Sequence, residues 1–263
     1  MNTTHLSIEG GIAIVRLDNP PQNRLSLGVA TGFEAAIEGI KNDPSVRVVV
    51  LAANGEDFSW GGDISVWPGV SPQDMATRVE KSVRRANSLE LLPVPVVSAV
   101  HGRCFGGGFE YALRTDVIVA EKGARFRHPE QTLGVFTLLG GIQRVAERAG
   151  KTRAMKWALT SEIVTADEML EAGVITEVTA PGAAFDRAME WAKALASGPT
   201  LAHAAHKQLL RLWASGGIEA ADAQIPELTK AIFGSHDAQR GIASAIDAAS
   251  RGVERPIPSF EGH

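Results

Sequence analysis

The sequence predicts an α/β protein in which strands and helices alternate over the first half, while helices dominate the second half. A nearly continuous apolar run at residues 46–51 is typical of a strand buried on both faces of a parallel sheet. Two glycine-rich turns, at 58–64 and 102–110, each follow a predicted strand and lead towards a helix. Beyond residue 140 strand patterns almost vanish, and alanine-rich segments with helical spacing replace them.

In the first half, glycines and prolines set the boundaries of the predicted elements. Gly10 and Gly11 form a turn before a β-rich run, which indicates the second strand of a hairpin. Pro20 and Pro21 exclude regular structure from the loop that follows, and Pro93 ends the second helix. The strands are expected at 12–17, 46–51, 94–100 and 116–120. The helices are expected at 28–41 and 72–91.

The second half is predicted to contain one strand, at 174–178, among a series of helices. Thr165 followed three residues later by Glu168 has the pattern of a capped helix start. No low-complexity linker separates the two halves of the chain. Further helices are expected at 141–149, 151–159, 183–197, 200–213, 218–234 and 237–250.

Composition narrows the class of protein. The chain has 263 residues and a formal net charge of −4, which argues against a protein that coats nucleic acid. One cysteine, Cys104, excludes an intramolecular disulfide framework and fits a reducing compartment. Residues 1–10 show no signal-peptide pattern, and no apolar run is long enough to span a bilayer. We therefore expect a globular cytoplasmic protein with no nucleic-acid or membrane partner.

The two glycine-rich turns offer backbone N–H donors. Glycine lets a ligand approach the main chain closely, and amides at a helix start point outward. Two such turns facing each other could aim two N–H groups at one oxygen and so form an oxyanion hole. A plain tight turn is the alternative interpretation, while the spacing of Gly102 to Gly108 does not fit a dinucleotide-binding G-x-G-x-x-G motif.

Two glutamates stand near these turns. Glu110 lies in the first turns of the helix that follows the second glycine run, and Glu130 lies in a loop bracketed by apolar residues. Either one could be an ordinary helix-start or surface charge. If the two meet around one water, they form an acid/base pair, because their mutual repulsion holds a proton between them. His128 could tune the pKa of Glu130 or simply face solvent. His203 and His206 are spaced for a metal pair, but no third ligand is evident, so no metal site is expected.

Taken in order, these segments resemble the enoyl-CoA hydratase/isomerase (crotonase) superfamily over nearly the whole chain. FSWGGDI at 58–64 is similar to its F-x-x-G-A-D-L stretch, and GRCFGGGFEYALRTD at 102–116 to its G-x-x-x-G-G-G-x-E-L-A-x-x-x-D. FRHPE at 126–130, with LG at 133–134 and GGIQR at 140–144, is similar to its F-x-x-P-E-x-x-L-G…G-G-x-Q-R.

The resemblance implies a fold, an assembly and a reaction. The fold would be a spiral of ββα units over residues 1–195, followed by a helical region at 196–263 used for trimerisation and active-site cover. The partners would be copies of the same chain, as a homotrimer or a dimer of trimers, and an acyl-CoA thioester. CoA is then part of the substrate, and no cofactor is expected. Gly62 and Gly107 would supply the oxyanion-hole amides, Glu130 would exchange a proton with the α-carbon, and Glu110 would activate water.

The resemblance also assigns substrate-binding positions and shows where this chain departs from the pattern. Trp60 stands where the family commonly has a small residue. It is either an anchor in the core or a wall that shapes the acyl pocket. Ser65 stands where many members carry a lysine that meets the CoA phosphates. The loop at 137–139 lacks the usual proline and glycine, which together with Trp60 and Trp67 suggests a non-standard acyl group. The expected substrate-binding residues are Gln22, Asn23, Arg24, Leu25, Trp60, Gly61, Asp63, Ile64, Phe136, Leu138, Lys207 and Phe260. Hydration is the leading reaction, since both glutamates are present. The alternatives are isomerisation, hydrolysis or retro-aldol cleavage of an acyl-CoA, and a non-catalytic CoA- or RNA-binding member.

Overall fold

A computed structural model describes residues 3–262, which divide into two compact units. The first unit runs to Leu92 and continues over Val96–Ala192; the second comprises Pro93–Pro95 and the residues from Lys193 onward. The strands are β1 (Thr4–Glu9), β2 (Ile12–Leu17), β3 (Val48–Ala53), β4 (Val96–Val100), β5 (Arg103–Phe105), β6 (Val117–Glu121), β7 (Arg125–Arg127), β8 (Val164–Thr165) and β9 (Glu177–Thr179). The helices are α1 (Leu27–Asn42), α2 (Pro72–Glu90), α3 (Gly107–Ala112), α4 (Gly141–Ala149), α5 (Lys151–Thr160), α6 (Ala166–Glu171), α7 (Ala184–Ala196), α8 (Thr200–Asp222), α9 (Ile225–Phe233) and α10 (His236–Ser250).

The larger sheet has the order β1-β2-β3-β4-β6-β9. The predicted hairpin is confirmed, since β1 and β2 pair in antiparallel fashion, while every other neighbouring pair in this sheet is parallel. All six residues of β3 are buried, as its unbroken apolar run predicts for a strand covered on both faces. The sheet thus forms the core of the first unit.

A smaller sheet, with the order β5-β7-β8, was not predicted as strands. In β4-β5-α3 the chain runs through the large sheet, then the small sheet, then a helix. It repeats this path in β6-β7, followed by a 3₁₀ helix at Glu130–Leu133 and then α4. Successive turns of chain therefore stack side by side, and the expected spiral of ββα units is confirmed.

Backbone hydrogen bonds tie these turns together beside the small sheet. Ser59 pairs with Cys104 as an isolated parallel bridge, and Leu25 pairs in the same way with Gly62. The nitrogen of Phe105 donates to the oxygen of Ser59 at 2.9 Å, and the nitrogen of Gly106 donates to the oxygen of Arg127 at 3.0 Å. The loops that carry the glycine turns and the second glutamate are thus fixed to one another by main-chain contacts.

The second unit is helical, as expected. Its predicted helix at 218–234 is wrong in its limits, because α8 extends to Asp222, across non-helical geometry at Gly217, and α9 begins at Ile225. Buried Asp237 accepts hydrogen bonds from the nitrogens of Glu261 and Gly262, both at 2.7 Å, and so anchors the end of the described chain. No helix within residues 3–262 combines the length and the hydropathy that crossing a bilayer requires.

The strand predicted at 174–178 is displaced. Val174 and Ile175 are buried, but they lie in a bend, and pairing with β6 begins only at Glu177. Their apolar character reflects packing rather than strand formation. By contrast, the capping box of α6 is present as predicted, with the Thr165 hydroxyl accepting from the Glu168 nitrogen and the Glu168 carboxylate accepting from the Thr165 nitrogen.

Candidate active site

The backbone N–H groups of Gly62 and Gly107 lie on adjoining segments. A methyl group added at Gly107 would lie 3.6 Å from the Gly62 nitrogen, and one added at Gly61 would lie 2.9 Å from the Gly107 nitrogen. Neither N–H donates a hydrogen bond to another residue in the range 3–262. Two unpaired amide donors side by side are the arrangement that a developing oxyanion requires.

This proximity depends on glycine at two positions. Gly61 has φ of 88°, a conformation that other residues adopt only with strain, and a methyl group there would lie 2.8 Å from the oxygen of Phe105. A methyl group at Gly108 would lie 2.5 Å from Cβ of Ser59. Side chains at these positions would therefore separate the two turns.

Glu110 points into the first unit from α3 and is only 2% exposed. Its Oε1 accepts hydrogen bonds from the nitrogen of Leu139 at 2.9 Å and from that of Gly141 at 2.8 Å. Burial raises the pKa of Glu110, while the two amides and the guanidinium groups of Arg114 and Arg144 oppose that rise. The structure therefore supplies this carboxyl with donors that favour its ionised form.

Glu130 begins the 3₁₀ helix after β7 and is also buried. Its Oε1 lies against the second glycine turn, 3.2 Å from the position of a methyl group on Gly106, while its Oε2 has no hydrogen-bond partner among residues 3–262. Burial, and next the negative charge of Glu110, raise the pKa of Glu130 to about 7. The two carboxyls are thus close enough to interact and sit in different surroundings.

The raised pKa of Glu130 predicts a pH-dependent gain in stability for Glu130→Gln. The folded state binds this proton more tightly than the unfolded state, so stability is highest below about pH 4.5 and falls as pH rises through about 7. The rise in the pKa from 4.5 to about 7 corresponds to a decrease of about 3 kcal/mol in the free energy of unfolding above pH 7. Denaturant unfolding should show the variant more stable than wild type by up to that amount at pH 8, with little difference at pH 4.5. A difference independent of pH, or one matched by exposed Glu38→Gln, would contradict this.

The sequence did not reveal two neighbours of Glu110, and it left open whether His128 beside Glu130 is buried. Leu139 and Gly141 contribute main-chain donors to Glu110, and no side-chain pattern announces such a contact. The solvent-facing alternative for His128 is wrong, since its side chain is 2% exposed and its Nδ1 lies 3.8 Å from Oε2 of Glu130. The apolar residues around the F-x-x-P-E motif were the available signal that His128 would be buried.

Trp60 is half-buried at the edge of the site. Its indole nitrogen donates to Oδ2 of Asp57 at 2.7 Å. The guanidinium of Arg103 lies over its ring, 5.0 Å from the ring centroid, in a cation–π contact. The ring also meets Phe105 edge-on. A methyl group on Gly62 would instead lie 3.6 Å from the indole of Trp67. The contacts of Trp60 fit an anchoring role, and Trp67 is the tryptophan beside the candidate oxyanion hole.

The predicted binding segment at 22–25 lies along the first glycine turn. The Trp60 nitrogen donates to the Gln22 oxygen at 3.0 Å, and the Leu25 nitrogen donates to the Gly61 oxygen at 2.8 Å. Arg24 bonds Gln22 and the oxygen of Gly62. The buried side-chain amide of Asn23 bonds backbone groups of neighbouring loops, and so fixes the segment in place.

The other predicted binding residues differ in exposure. Asp63 caps the short 3₁₀ helix Ile64–Val66, and hydrogen bonds from Ser65 lower its pKa. Phe136 is 74% exposed, whereas Leu138 is partly covered and precedes buried Leu139. The loop at 136–139 therefore presents apolar side chains next to the amide that holds Glu110.

Lys207 and Phe260 belong to the second unit. Lys207 Nζ donates to the oxygen of Val94 at 2.9 Å, and the nitrogen of Phe260 donates to the oxygen of Ser197 at 2.9 Å. The Phe260 ring packs against Gly241. Their binding roles stay predictions.

Two side-chain alternatives from the sequence can be compared with the structure. Cys104 is fully buried in β5, and burial raises the pKa of its thiol well above its ordinary value, so it packs rather than reacts. Within residues 3–262, no group of three or more His, Cys, Asp or Glu side chains could hold a metal ion.

Comparison with known proteins shows which family the chain resembles. The family model described as enoyl-CoA hydratase/isomerase matches residues 7–248. The short-chain-enoyl-CoA hydratase of Clostridium acetobutylicum is 31% identical over 252 residues, covering 94% of this chain and 95% of that protein. The 2,3-dehydroadipyl-CoA hydratase of Escherichia coli K12 is 28% identical over 264 residues, covering all of both chains.

Solved structures share the fold. A crystal structure described as "Enoyl-CoA hydrates" from Geobacillus kaustophilus HTA426 superposes with a TM-score of 0.91 at 26% identity, covering 100% of this chain and 98% of that one. The match to the family model spans both glycine turns and both glutamates. The chain belongs to the enoyl-CoA hydratase/isomerase family.

Proposed function

We propose that this protein adds water reversibly across the double bond of a 2-enoyl-CoA thioester. The observation that carries the proposal is the pair of buried glutamates, which lie in one cluster with the unpaired Gly62 and Gly107 amides and differ in their surroundings. Membership of the family and the hydratase names of relatives support the same reaction class.

The surroundings of the two carboxyls assign their roles. Glu110, which accepts two amide hydrogen bonds, is the ionised partner and takes a proton from the attacking water. Glu130, whose pKa is about 7 and whose Oε2 accepts no hydrogen bond, holds the proton that is delivered to the α-carbon. The water oxygen bonds to the β-carbon as the carbon–carbon double bond becomes single. One water is thereby added in total.

The thioester oxygen gains negative charge as the β-carbon is attacked. The Gly62 and Gly107 N–H groups stabilise this charge without reorganising, because the main chain holds them in place before the substrate arrives. One such donor is typically worth about 10²–10³ in rate. Acid/base assistance by the glutamates adds about 10²–10⁴ each.

We also propose substrate contacts and an assembly, on the basis of the resemblance to the same family. We assign the CoA part to the segment at 22–25 and to Gly61, Asp63 and Ile64, and the acyl part to the loop that includes Phe136 and Leu138. Trp67, beside Gly62, narrows the acyl region. We also propose that Lys207 and Phe260 contact CoA, that the protein forms a trimer or a dimer of trimers, and that it acts in the cytoplasm. Its relatives carry names with different acyl groups, so the acyl chain is to be found by assay.

An ultraviolet assay with a panel of thioesters tests the proposal. The panel contains short-chain, long-chain and dicarboxylic 2-enoyl-CoA substrates, with a 3-enoyl-CoA to detect isomerisation. We expect loss of the conjugated enoyl absorbance with at least one 2-enoyl-CoA. Turnover of the 3-enoyl-CoA alone would replace hydration by isomerisation, and no turnover of any thioester would overturn the proposal.

A further inference from the structure

His128 is a buried titratable side chain whose role the proposed reaction leaves open. Both of its ring nitrogens, and Oε2 of Glu130, lack hydrogen-bond partners within residues 3–262. A buried polar group without a partner typically costs about 1–3 kcal/mol, so three of them together call for a functional account.

The ring of His128 is held in one orientation. It packs on Phe109 with the ring centroids 4.9 Å apart, and a methyl group at Gly141 would lie 2.5 Å from its Cε1. The His128 main-chain oxygen accepts the hydroxyl of Ser161 at 2.6 Å. Confined in this way, the imidazole has Nδ1 3.8 Å from Oε2 of Glu130.

The two oxygens of Glu130 therefore face different groups. Oε2 faces His128, while Oε1 lies against Gly106, the residue before the candidate oxyanion amide of Gly107. A proton on Oε1 is placed for transfer to substrate, and a proton on Oε2 is directed away from it. Whichever group engages Oε2 decides which oxygen carries the proton.

We propose that His128 is a positioning residue whose Nδ1–H engages Oε2 of Glu130 and so confines the transferable proton to Oε1. A small side-chain movement brings the two atoms from 3.8 Å to hydrogen-bond distance, and hydrogen bonds between catalytic groups are often long in structures without substrate. The opposite tautomer would leave Nε2–H as a buried donor without an acceptor, and orphaned buried N–H groups are rarer than orphaned acceptors. Kinetic evidence for this inference rests on the proposed hydratase function.

Burial, rather than the surrounding charges, keeps the imidazole neutral. Glu130 and Glu110 are the carboxyls in its cluster, Arg114 and Arg144 act on Glu110, and the Arg127 side chain from β7 is bonded to the Ser161 oxygen. Burial lowers the pKa of His128 to about 4. A neutral donor orients Glu130 without forming the ion pair that would strip its proton.

Nitrogen-15 NMR of histidine-labelled protein tests the contact without reference to activity. The His128 signals are assigned by their loss in His128→Asn. We expect the Nδ1–H tautomer, neutral from pH 5 to pH 8, with its shifts altered in Glu130→Gln. A dominant Nε2–H tautomer, or protonation of His128 within that range, would overturn the proposal even if the enzyme hydrates enoyl-CoA well.

Kinetics of two variants of matched size provide the second test. Asparagine places an amide N–H near the position of Nδ1, while leucine has no donor. With the thioester that wild type hydrates, we expect His128→Leu to lower kcat about 10-fold at unchanged KM. The His128→Asn variant should keep most of the wild-type kcat. The leucine variant should also keep activity to higher pH, because loss of the donor raises the pKa of Glu130. Equal rates and pH profiles in both folded variants would reject the role of the donor.

If wild type hydrates nothing in the panel, the proposed function fails, and the NMR result still decides the contact of His128.

Discussion

Glu130→Gln is expected to lower kcat for enoyl-CoA hydration by at least about 10²-fold. Glutamine preserves the shape of the side chain but cannot deliver the proton that the α-carbon needs. Because the proposed CoA contacts at residues 22–25 do not involve the Glu130 carboxyl, binding of CoA itself should be unchanged. Steady-state kinetics and calorimetric titration with CoA measure these two effects separately.

Glu110→Gln is expected to cause a loss of similar size for a different reason. The amide cannot accept a proton from water, and it presents to Leu139 and Gly141 an acceptor weaker than a carboxylate. Exposed Glu38→Gln is the matched control and should have wild-type activity. Full turnover in either buried variant would discard the two-glutamate mechanism.

Gly61→Ala should lower kcat by at least about 10²-fold, whereas Gly62→Ala should retain most of the activity. The methyl group added at Gly61 would lie 2.8 Å from the oxygen of Phe105 and 2.9 Å from the nitrogen of Gly107. The alanine would also have to adopt the backbone φ of 88°. Relief of that contact displaces the Gly107 amide, and one lost oxyanion donor costs about 10²–10³ in rate. The strained backbone costs a further 1–3 kcal/mol of stability, roughly.

Gly62 provides the control for that experiment. A methyl group there lies in ordinary contact, 3.6 Å from Trp67, and the family pattern itself carries alanine at this position. Thermal unfolding of both variants, together with kcat, separates misfolding from a misplaced amide. Equal activities in the two variants would show that the approach of the two turns does not matter for catalysis.

The larger elements of the fold were predictable because their signals are local. The apolar run of β3, the hairpin glycines and the helical spacing of α1 each lie within one segment. The small sheet was missed since β5, β7 and β8 have two or three residues each, too few for a period to emerge. Only pairing between distant turns of chain defines them.

The same distinction divides the candidate site. Gly107 and Glu110 share one motif, so their closeness follows from the sequence. The amide donors of Leu139 and Gly141 on Glu110, and the burial of His128 beside Glu130, arise between segments more than twenty residues apart or from packing. Such contacts depend on how the spiral stacks, which no single segment encodes.

The bridge from Ser59 to Cys104, continued through β5, β7 and β8, holds the glycine turns by main-chain pairing. The groups of the site therefore differ in how easily a mutation removes them. The amides that we propose stabilise charge are part of the main chain, and no substitution at Gly62 or Gly107, short of proline, deletes their N–H groups. The carboxyls, in contrast, are single side chains that one codon can change. A scaffold of this kind can exchange one proton-transfer chemistry for another while the amides proposed to bind the thioester oxygen stay in place.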